Sequence, residues 1–183
     1  MKNCCGIAGR ATVALLVAGN LMIPTAMEAV VVGDSVQITK LLADAKAEAG
    51  QLKEDSADME LYFGSKLSWE SYAGKVEMIK GHVNNTGKLL AKLQEAEATG
   101  SPWQQVAIKR IEPLLKELAA NTETTINYLN ENRMKVRFSE FEGYLKANRE
   151  LATDLEALIR DFVDYGDAKE KFERLGGKLE KTT

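Results

Sequence analysis

Cysteine, histidine and proline are scarce in this chain. Its 183 residues include 2 cysteines, 1 histidine and 3 prolines, and aromatic residues make up 7%. Catalytic triads, zinc sites and redox pairs are built largely from histidine and cysteine, so few such sites can form here. Nor does one sign of charge dominate, because 24 basic and 27 acidic residues leave a net charge of -3. Without a basic surface to neutralise phosphates, we expect no binding of nucleic acid.

The sequence also lacks the short motifs that mark common active sites. It contains no Cys-x-x-Cys-His for covalent haem, no His-Glu-x-x-His for zinc hydrolysis and no Gly-x-Ser-x-Gly. Gly74, Gly81 and Gly87 do not have the spacing of a phosphate-binding loop. We therefore predict that the protein is not an enzyme and carries no cofactor.

Residues 1–29 have the layout of a secretory signal peptide. Lys2 and Arg10 give a basic start, and residues 11–23 form an apolar stretch. That stretch is shorter than the about 20 residues that span a bilayer, which favours an export signal over an anchor. We predict cleavage after Ala29, and a periplasmic or extracellular location. Because Met27 breaks the small-residue rule at the cleavage site, an uncleaved anchor is the alternative.

Cys4 and Cys5 both lie within this leader, upstream of the apolar stretch. A lipoprotein cysteine follows such a stretch, so we do not interpret the pair as a lipid anchor. The predicted mature chain, residues 30–183, contains no cysteine and hence no disulfide or thiolate ligand. We expect it to depend on packing for stability and to have no membrane span once the signal is removed.

After residue 35 the apolar residues recur at alternating steps of three and four, the period of helices packed in a bundle. Four such stretches are joined by short turn sequences. We therefore predict an all-α, up-down-up-down antiparallel four-helix bundle, formed by residues 30–183 as a single domain. The predicted buried seams, helix by helix, are Ile38, Leu42, Ala45, Ala49, Leu52, Ser56, Met59 and Phe63; Trp69, Tyr72, Val76, Ile79, Val83, Thr86, Leu90 and Leu93; Ile108, Ile111, Leu115, Leu118, Thr122, Thr125 and Leu129; and Phe141, Tyr144, Asn148, Leu151, Leu155, Leu158, Phe162, Tyr165, Phe172 and Leu179.

Three local features predict where individual helices begin, bend or break. Ser101 and Gln104 form a capping box that predicts the start of the third helix. Residues 81–87, GHVNNTG, are weak helix formers and predict a kink or a short break in the second helix. Pro113 removes one backbone donor and predicts a bend in the third helix.

Two clusters are interpreted as structural. Trp69 and Trp103 lie near opposite ends of the second helix, so we expect them to plug the ends of the bundle. Asp161, Asp164 and Asp167 recur at steps of three without the Asp-x-Asp-x-Asp-Gly loop of a calcium site. They are interpreted as a solvated acidic helix face.

A polar layer is predicted in the core. Aligning the helices through the turns that join them places Thr122 of the third helix level with Asn148 of the fourth, and both near Gln51 and either Glu77 or Met78 of the first two helices. Polar layers commonly fix the register of a bundle, at some cost in stability, and this is the favoured interpretation. The alternative is a small polar cavity that binds a ligand.

His82 is the single imidazole and therefore the candidate ligand for a metal or a haem iron. It lies beside the apolar seam of the second helix. Ile79 occupies the position three residues earlier, so the Glu-x-x-His pair of di-iron bundles is missing. A non-covalent haem held by His82 and either Met59 or Met78 is the arrangement left open.

The run SPWQQVAIKRIEPLLKELAANTETTINYLNEN, residues 101–132, resembles sequences of exported helical proteins of bacteria that have no assigned activity. The resemblance implies export and an all-helical fold, and it assigns no functional residue. In shape the predicted bundle is also similar to periplasmic cytochrome bundles, but the haem motif is missing from this chain.

Together these features predict an exported, non-enzymatic helical bundle that serves as a protein-interaction module or as a structural or accessory part of the cell envelope. Its partner would be a protein or an envelope component, and self-association into a homo-oligomer is also open. The alternative is a periplasmic haem- or metal-binding bundle that uses His82.

Overall fold

The computed structural model describes residues 33–63, 65, 67–133 and 139–180. These residues form four long helices and no strand. The helices are α1 (Val36–Leu61), α2 (Trp69–Ala96), α3 (Pro102–Glu131) and α4 (Ser139–Glu180), with a short 3-10 helix at Glu97–Thr99 after α2. The predicted signal peptide, its cleavage site and both cysteines lie outside the described residues.

The helices pack as an antiparallel bundle. α1 packs against α2 and α4, and α3 packs against the same two helices, which closes a four-sided core. Residue numbers rise along α1 while they fall along α4 in a ladder of ion pairs: Lys46 with Asp164, Lys53 with Glu156, and Glu60 with Arg149. The predicted all-α, up-down-up-down four-helix fold is confirmed.

Burial follows the predicted seams in the first three helices. Every predicted residue of α3 is buried, and so is every predicted residue of α1 and α2 except Phe63 and Trp69, which are partly buried. This agreement follows from the period of the pattern. Residues at alternating steps of three and four stay on one side of a helix, and that side must be covered by other helices.

The fourth helix buries only part of the predicted seam: Phe141, Asn148 and Leu155 are buried as predicted, and Tyr144 is partly buried. Its buried core residues are Phe141, Leu145, Asn148, Ala152, Leu155, Glu156 and Ile159. Leu151, Leu158 and Phe162, which were predicted as core, are only partly buried. The prediction was wrong for Tyr165, Phe172 and Leu179, whose exposed fractions are 53%, 77% and 74%.

The reason lies in the unequal lengths of the helices. Lys169 of α4 is level with Asp34, just before the start of α1, and Tyr165 is level with Trp103 at the start of α3. Past Lys169, α4 continues for residues 170–180, which we call the overhang and which would be about 16 Å long at 1.5 Å per residue. Apart from the half-buried Gly176, all its residues are exposed.

The two predicted interruptions do not break their helices. α2 is continuous through residues 81–87, where Val83 and Thr86 are buried in the core. α3 is continuous through Pro113, which is exposed at the surface of the bundle. At residues 81–87 packing of the helix seam outweighs the weak local preference for helix, while the bend predicted at Pro113 stays a prediction. Among the described residues, no helix has the length and apolar character required to cross a membrane.

Gln104 ties the starts of α1 and α3 together. Its Oε1 accepts hydrogen bonds from the backbone N–H of Ser35, at 2.9 Å, and of Ser101, at 3.1 Å. Its Nε2 donates to the Ser35 carbonyl and to the Thr39 hydroxyl, both at 3.0 Å. The bond to Ser101 belongs to the predicted capping box. The hydrogen bonds to Ser35 and Thr39 form only because α1 and α3 pack together. With them, both the oxygen and the nitrogen of this buried amide have hydrogen-bond partners.

Replacing Gln104 with alanine should lower the free energy of unfolding by about 2 to 4 kcal/mol, because it opens a cavity and removes the acceptor of two backbone N–H groups. Chemical denaturation would measure the change. The exposed Gln37 of α1 is the matched control, and Gln37→Ala should change stability by less than about 0.5 kcal/mol. Equal effects of the two substitutions would contradict the assigned role of Gln104.

Candidate functional site

The predicted polar contact between α3 and α4 is present in the core, whereas Gln51, Glu77 and Met78, which were predicted beside it, are exposed. Asn148 of α4 is buried, and its side-chain amide faces two buried threonines of α3. Its Oδ1 lies 3.0 Å from the Thr122 hydroxyl, and its Nδ2 donates to the Thr125 hydroxyl at 2.8 Å. The register of α3 against α4 that sequence reflection predicted is therefore confirmed.

Both threonines also bond within their own helix. The Thr122 hydroxyl lies 2.8 Å from the carbonyl of Leu118, and the Thr125 hydroxyl donates to the carbonyl of Asn121 at 2.7 Å. A surface groove between α2 and α3 of about 390 Å³ includes Thr122 in its lining but not Asn148. Since both polar atoms of the Asn148 amide already have partners in α3, this geometry favours a structural role over a ligand pocket.

Asn148→Leu should leave the free energy of unfolding within about 1 kcal/mol of its original value or raise it, because both threonine hydroxyls keep their backbone acceptors. Asn148→Asp should lower it by about 3 kcal/mol or more at neutral pH, because it buries a charge with no cation beside it. Denaturant titration of the two variants tests this. A loss above about 2 kcal/mol for the leucine variant would show that the amide itself stabilises the bundle.

His82 of α2 lies between two carboxylates of α1. Its Nδ1 is 2.8 Å from Oε2 of Glu48, and its Nε2 is 3.2 Å from Oδ2 of Asp55. About a quarter of its side chain is exposed, at 24%. An ionised carboxylate only accepts hydrogen bonds, so the imidazole makes both contacts at once when it carries a proton on each nitrogen. His82 therefore joins α1 to α2.

This geometry does not favour His82 as a ligand for metal or haem. Each ring nitrogen faces a carboxylate, so a metal could bind only after one of these contacts opened. Of the two methionines considered as second ligands, Met59 is buried in the core and Met78 is 54% exposed. Within the described part of the chain, no group of three or more His, Cys, Asp or Glu side chains is arranged to hold a metal ion.

Protein purified from the cell envelope should be colourless and free of stoichiometric metal, and His82→Ala should leave both properties unchanged. An absorption spectrum and elemental analysis of the two proteins test this. A Soret band or a bound metal that disappears in the variant would contradict it, and would make the haem- or metal-binding alternative the better account.

An open, largely apolar groove lies between α3 and α4, at the end of the bundle where α4 overhangs. It has a volume of about 460 Å³. Its lining residues are Pro102, Trp103, Val106, Arg110, Leu158, Asp161, Phe162 and Tyr165. Arg110 of α3 lies 5.7 Å from the ring centroid of Phe162, while Asp161 of α4 brings the opposite charge to the lining. The groove thus combines an apolar lining with one cation and one anion from different helices.

Trp103 is held in this groove by polar contacts at the bundle end. Its indole Nε1 donates to Oδ1 of Asp34 at 2.7 Å, and Lys169 donates to Oδ2 of the same carboxylate at 2.7 Å. Burial opposes ionisation of Asp34, but hydrogen bonding to Lys169, Ser101 and Trp103, together with the charge of Lys169, outweighs it and lowers the pKa of this carboxyl below its ordinary value of 3.8. The hydrogen bond to Asp34 likewise raises the pKa of Lys169. Asp34 therefore links α1, α3 and α4 as an ionised group.

The close fit of Trp103 against α4 depends on Gly166. A Cβ built at Gly166 would lie 2.9 Å from the Cη2 carbon of Trp103, so a larger residue would push the indole away. Tyr165, the residue before Gly166, also packs against the indole, with its ring centroid 5.4 Å from that of Trp103. Trp103 was predicted to plug the bundle end, and it does lie there, but it also lines an open groove.

The apolar surface continues from the groove onto the overhang. Val106 and Tyr165 are 48% and 53% exposed at the groove, and Phe172 and Leu175 are 77% and 48% exposed further along α4. Sequence reasoning missed this surface because it extended the core seam of α4 to the end of the helix. The available signal was the spacing of Tyr165, Phe172 and Leu175, which follows a heptad on a different face of the helix from the buried residues.

The described residues thus define an all-α four-helix bundle with an overhanging last helix and an open apolar surface at one end. Comparisons with protein-family models, with curated proteins and with solved structures found no match. What the protein does is therefore inferred from the chemistry of its own residues.

Proposed function

We propose that this protein is an exported, non-enzymatic four-helix bundle that binds another protein through the α3–α4 groove and the adjacent overhang. Export is proposed from the signal-peptide layout of residues 1–29, and the absence of catalytic motifs from the sequence supports a non-enzymatic role. The observation that carries the proposal is the run of exposed apolar side chains at Val106, Tyr165, Phe172 and Leu175.

Such a surface is costly for a chain that stays alone in water. Exposed apolar residues scattered singly are ordinary, whereas a contiguous apolar patch bordered by charges is typical of a binding site. Here the patch follows the groove between two helices and then one side of α4. An amphipathic helix is the occupant that fits, because its apolar stripe can lie in a groove of this kind. Arg110 and Asp161 would contact an acidic and a basic edge of that helix.

A photoreactive amino acid placed at Val106 should crosslink the protein to its partner in the cell envelope, and mass spectrometry would identify that partner. The matched control is the same amino acid at Glu95, an exposed position of α2. Binding of the purified partner should then weaken at least tenfold for Val106→Glu, which places a charge in the apolar contact. It should be unchanged for Glu95→Gln.

The same adducts from both positions, or no adduct from Val106, would contradict a binding role for this groove. So would an identified partner whose affinity is unaffected by Val106→Glu. Thermal unfolding of each variant is the control for folding, and little change is expected because both positions are exposed.

A further inference from the structure

We infer that the partner helix at this surface is α4 of a second copy, and that residues 161–179 of the two chains pair antiparallel in a two-fold symmetric dimer. The inference rests on the proposed role of this surface in protein binding. Three features support it: the spacing of the apolar residues, the sizes of the side chains that would meet, and the distribution of charge along α4.

The exposed residues of α4 have the spacing of a coiled-coil seam. Tyr165, Ala168, Phe172, Leu175 and Leu179 follow one another at steps of three, four, three and four. This is a heptad pattern with apolar residues at both core positions. The overhang bears most of this seam, and past Lys169 α1 and α3 do not accompany it. A helix of a second copy would cover the exposed side chains of Tyr165, Phe172 and Leu175 in this seam.

Antiparallel pairing brings together side chains that fill the space between the helices. The two-fold axis would cross the helix pair at the level of residue 170 along α4. Tyr165 then lies opposite Leu175 of the second copy, and Ala168 lies opposite its Phe172. Each layer then combines residues from the two different seam positions, as antiparallel coiled coils do, and the smallest residue faces the largest aromatic one. Parallel pairing would place Phe172 on Phe172 and Ala168 on Ala168, which packs the layers unevenly.

The charges of α4 also select the antiparallel direction. Residues 161–167 contain three aspartates and no lysine or arginine. Residues 173–179, which the antiparallel arrangement brings alongside them, contain Arg174 and Lys178 against the single Glu173. The two segments that meet therefore carry opposite net charges, −3 and +1, although Asp167 is level with Glu173 of the second copy. Parallel pairing would set three aspartates against three aspartates, which is repulsive.

The arrangement also accounts for the groove. With the axis near Glu170, the end of one overhang lies level with Asp161 of the other chain, beside the groove that includes Leu158 and Phe162. The bundles themselves extend away from the axis in opposite directions, because each α4 joins its bundle on the N-terminal side of the overhang. Each copy thus presents the same surface to the other, as a two-fold interface requires.

The first test is the mass in solution of the exported chain, by light scattering after size-exclusion chromatography at micromolar concentration. The expected mass is twice that of the monomer. Phe172→Glu combined with Leu175→Glu should weaken dimerisation at least tenfold and give the monomer mass. Glu170→Gln, on the opposite side of the overhang, should remain a dimer. The helical circular dichroism of the double variant should match that of the parent, since both positions are exposed, and its unfolding temperature should fall only by the stabilisation that dimerisation gives the parent.

Disulfide crosslinking tests the direction of pairing, in a background with Cys4→Ser and Cys5→Ser. A mixture of Tyr165→Cys chains and Leu175→Cys chains should form a mixed disulfide under mild oxidation, because these positions face each other only in the antiparallel dimer. Disulfides within each separate preparation and none between the two would overturn the inferred direction, and so would the absence of any disulfide.

The outcomes separate this inference from the proposed function. A monomeric parent chain, or a dimer that survives the double substitution, overturns the inference. If Val106 then still crosslinks to a different protein whose binding Val106→Glu weakens, the proposed function stands without it. A dimer that the double substitution disrupts and the mixed disulfide links supports the inference, and identifies the second copy as the bound helix.

Discussion

The burial of one apolar seam per helix is the constraint on which the rest of this structure depends. α1, α2 and α3 each place residues at alternating steps of three and four toward a common core, and α4 closes the fourth side. Each helix has one long buried face and an outer face rich in charged residues, which is the arrangement of an antiparallel bundle. The ion pairs that join α1 and α4 lie at the rim of that core. The pair of Lys46 and Asp164 is exposed and contributes little to stability. Glu156 is buried, so its carboxylate depends on the cations of Lys53 and Arg160 beside it.

Most of the polar residues in the core have hydrogen-bond partners, and the hydroxyl of Ser56 is an exception. Asn148 is bonded to two threonines that also bond to their own helix, and the Gln104 amide has a partner for each polar atom. His82 lies between two carboxylates in the contact between α1 and α2. These contacts specify which helix faces which and at what level, a role that apolar side chains fill poorly because dispersion is not directional.

The end of the bundle near Asp34 carries the features that suggest a function. Asp34 joins the start of α1, the start of α3 and α4 through Trp103 and Lys169, and this fixes the indole at the edge of the groove. The overhang then extends the apolar surface beyond the support of the neighbouring helices. The self-association proposed for α4 rests on the coiled-coil spacing of this overhang and on the distribution of charge along the helix.

The sequence by itself determined the fold class, the order and direction of the helices, and the core residues of α1, α2 and α3. It could do so because the helical period of apolar residues is visible within each stretch of sequence, without knowledge of the other helices. It also determined the level of Thr122 against Asn148, since short turns fix how antiparallel helices align. Only the tertiary structure decided that Tyr165 and Phe172 are exposed, that His82 lies between Glu48 and Asp55, and that Trp103 lines a groove. Each of these depends on where neighbouring helices begin and end and how they are rotated about their axes. Those quantities are set by packing across the whole bundle, and no single stretch of the sequence contains them.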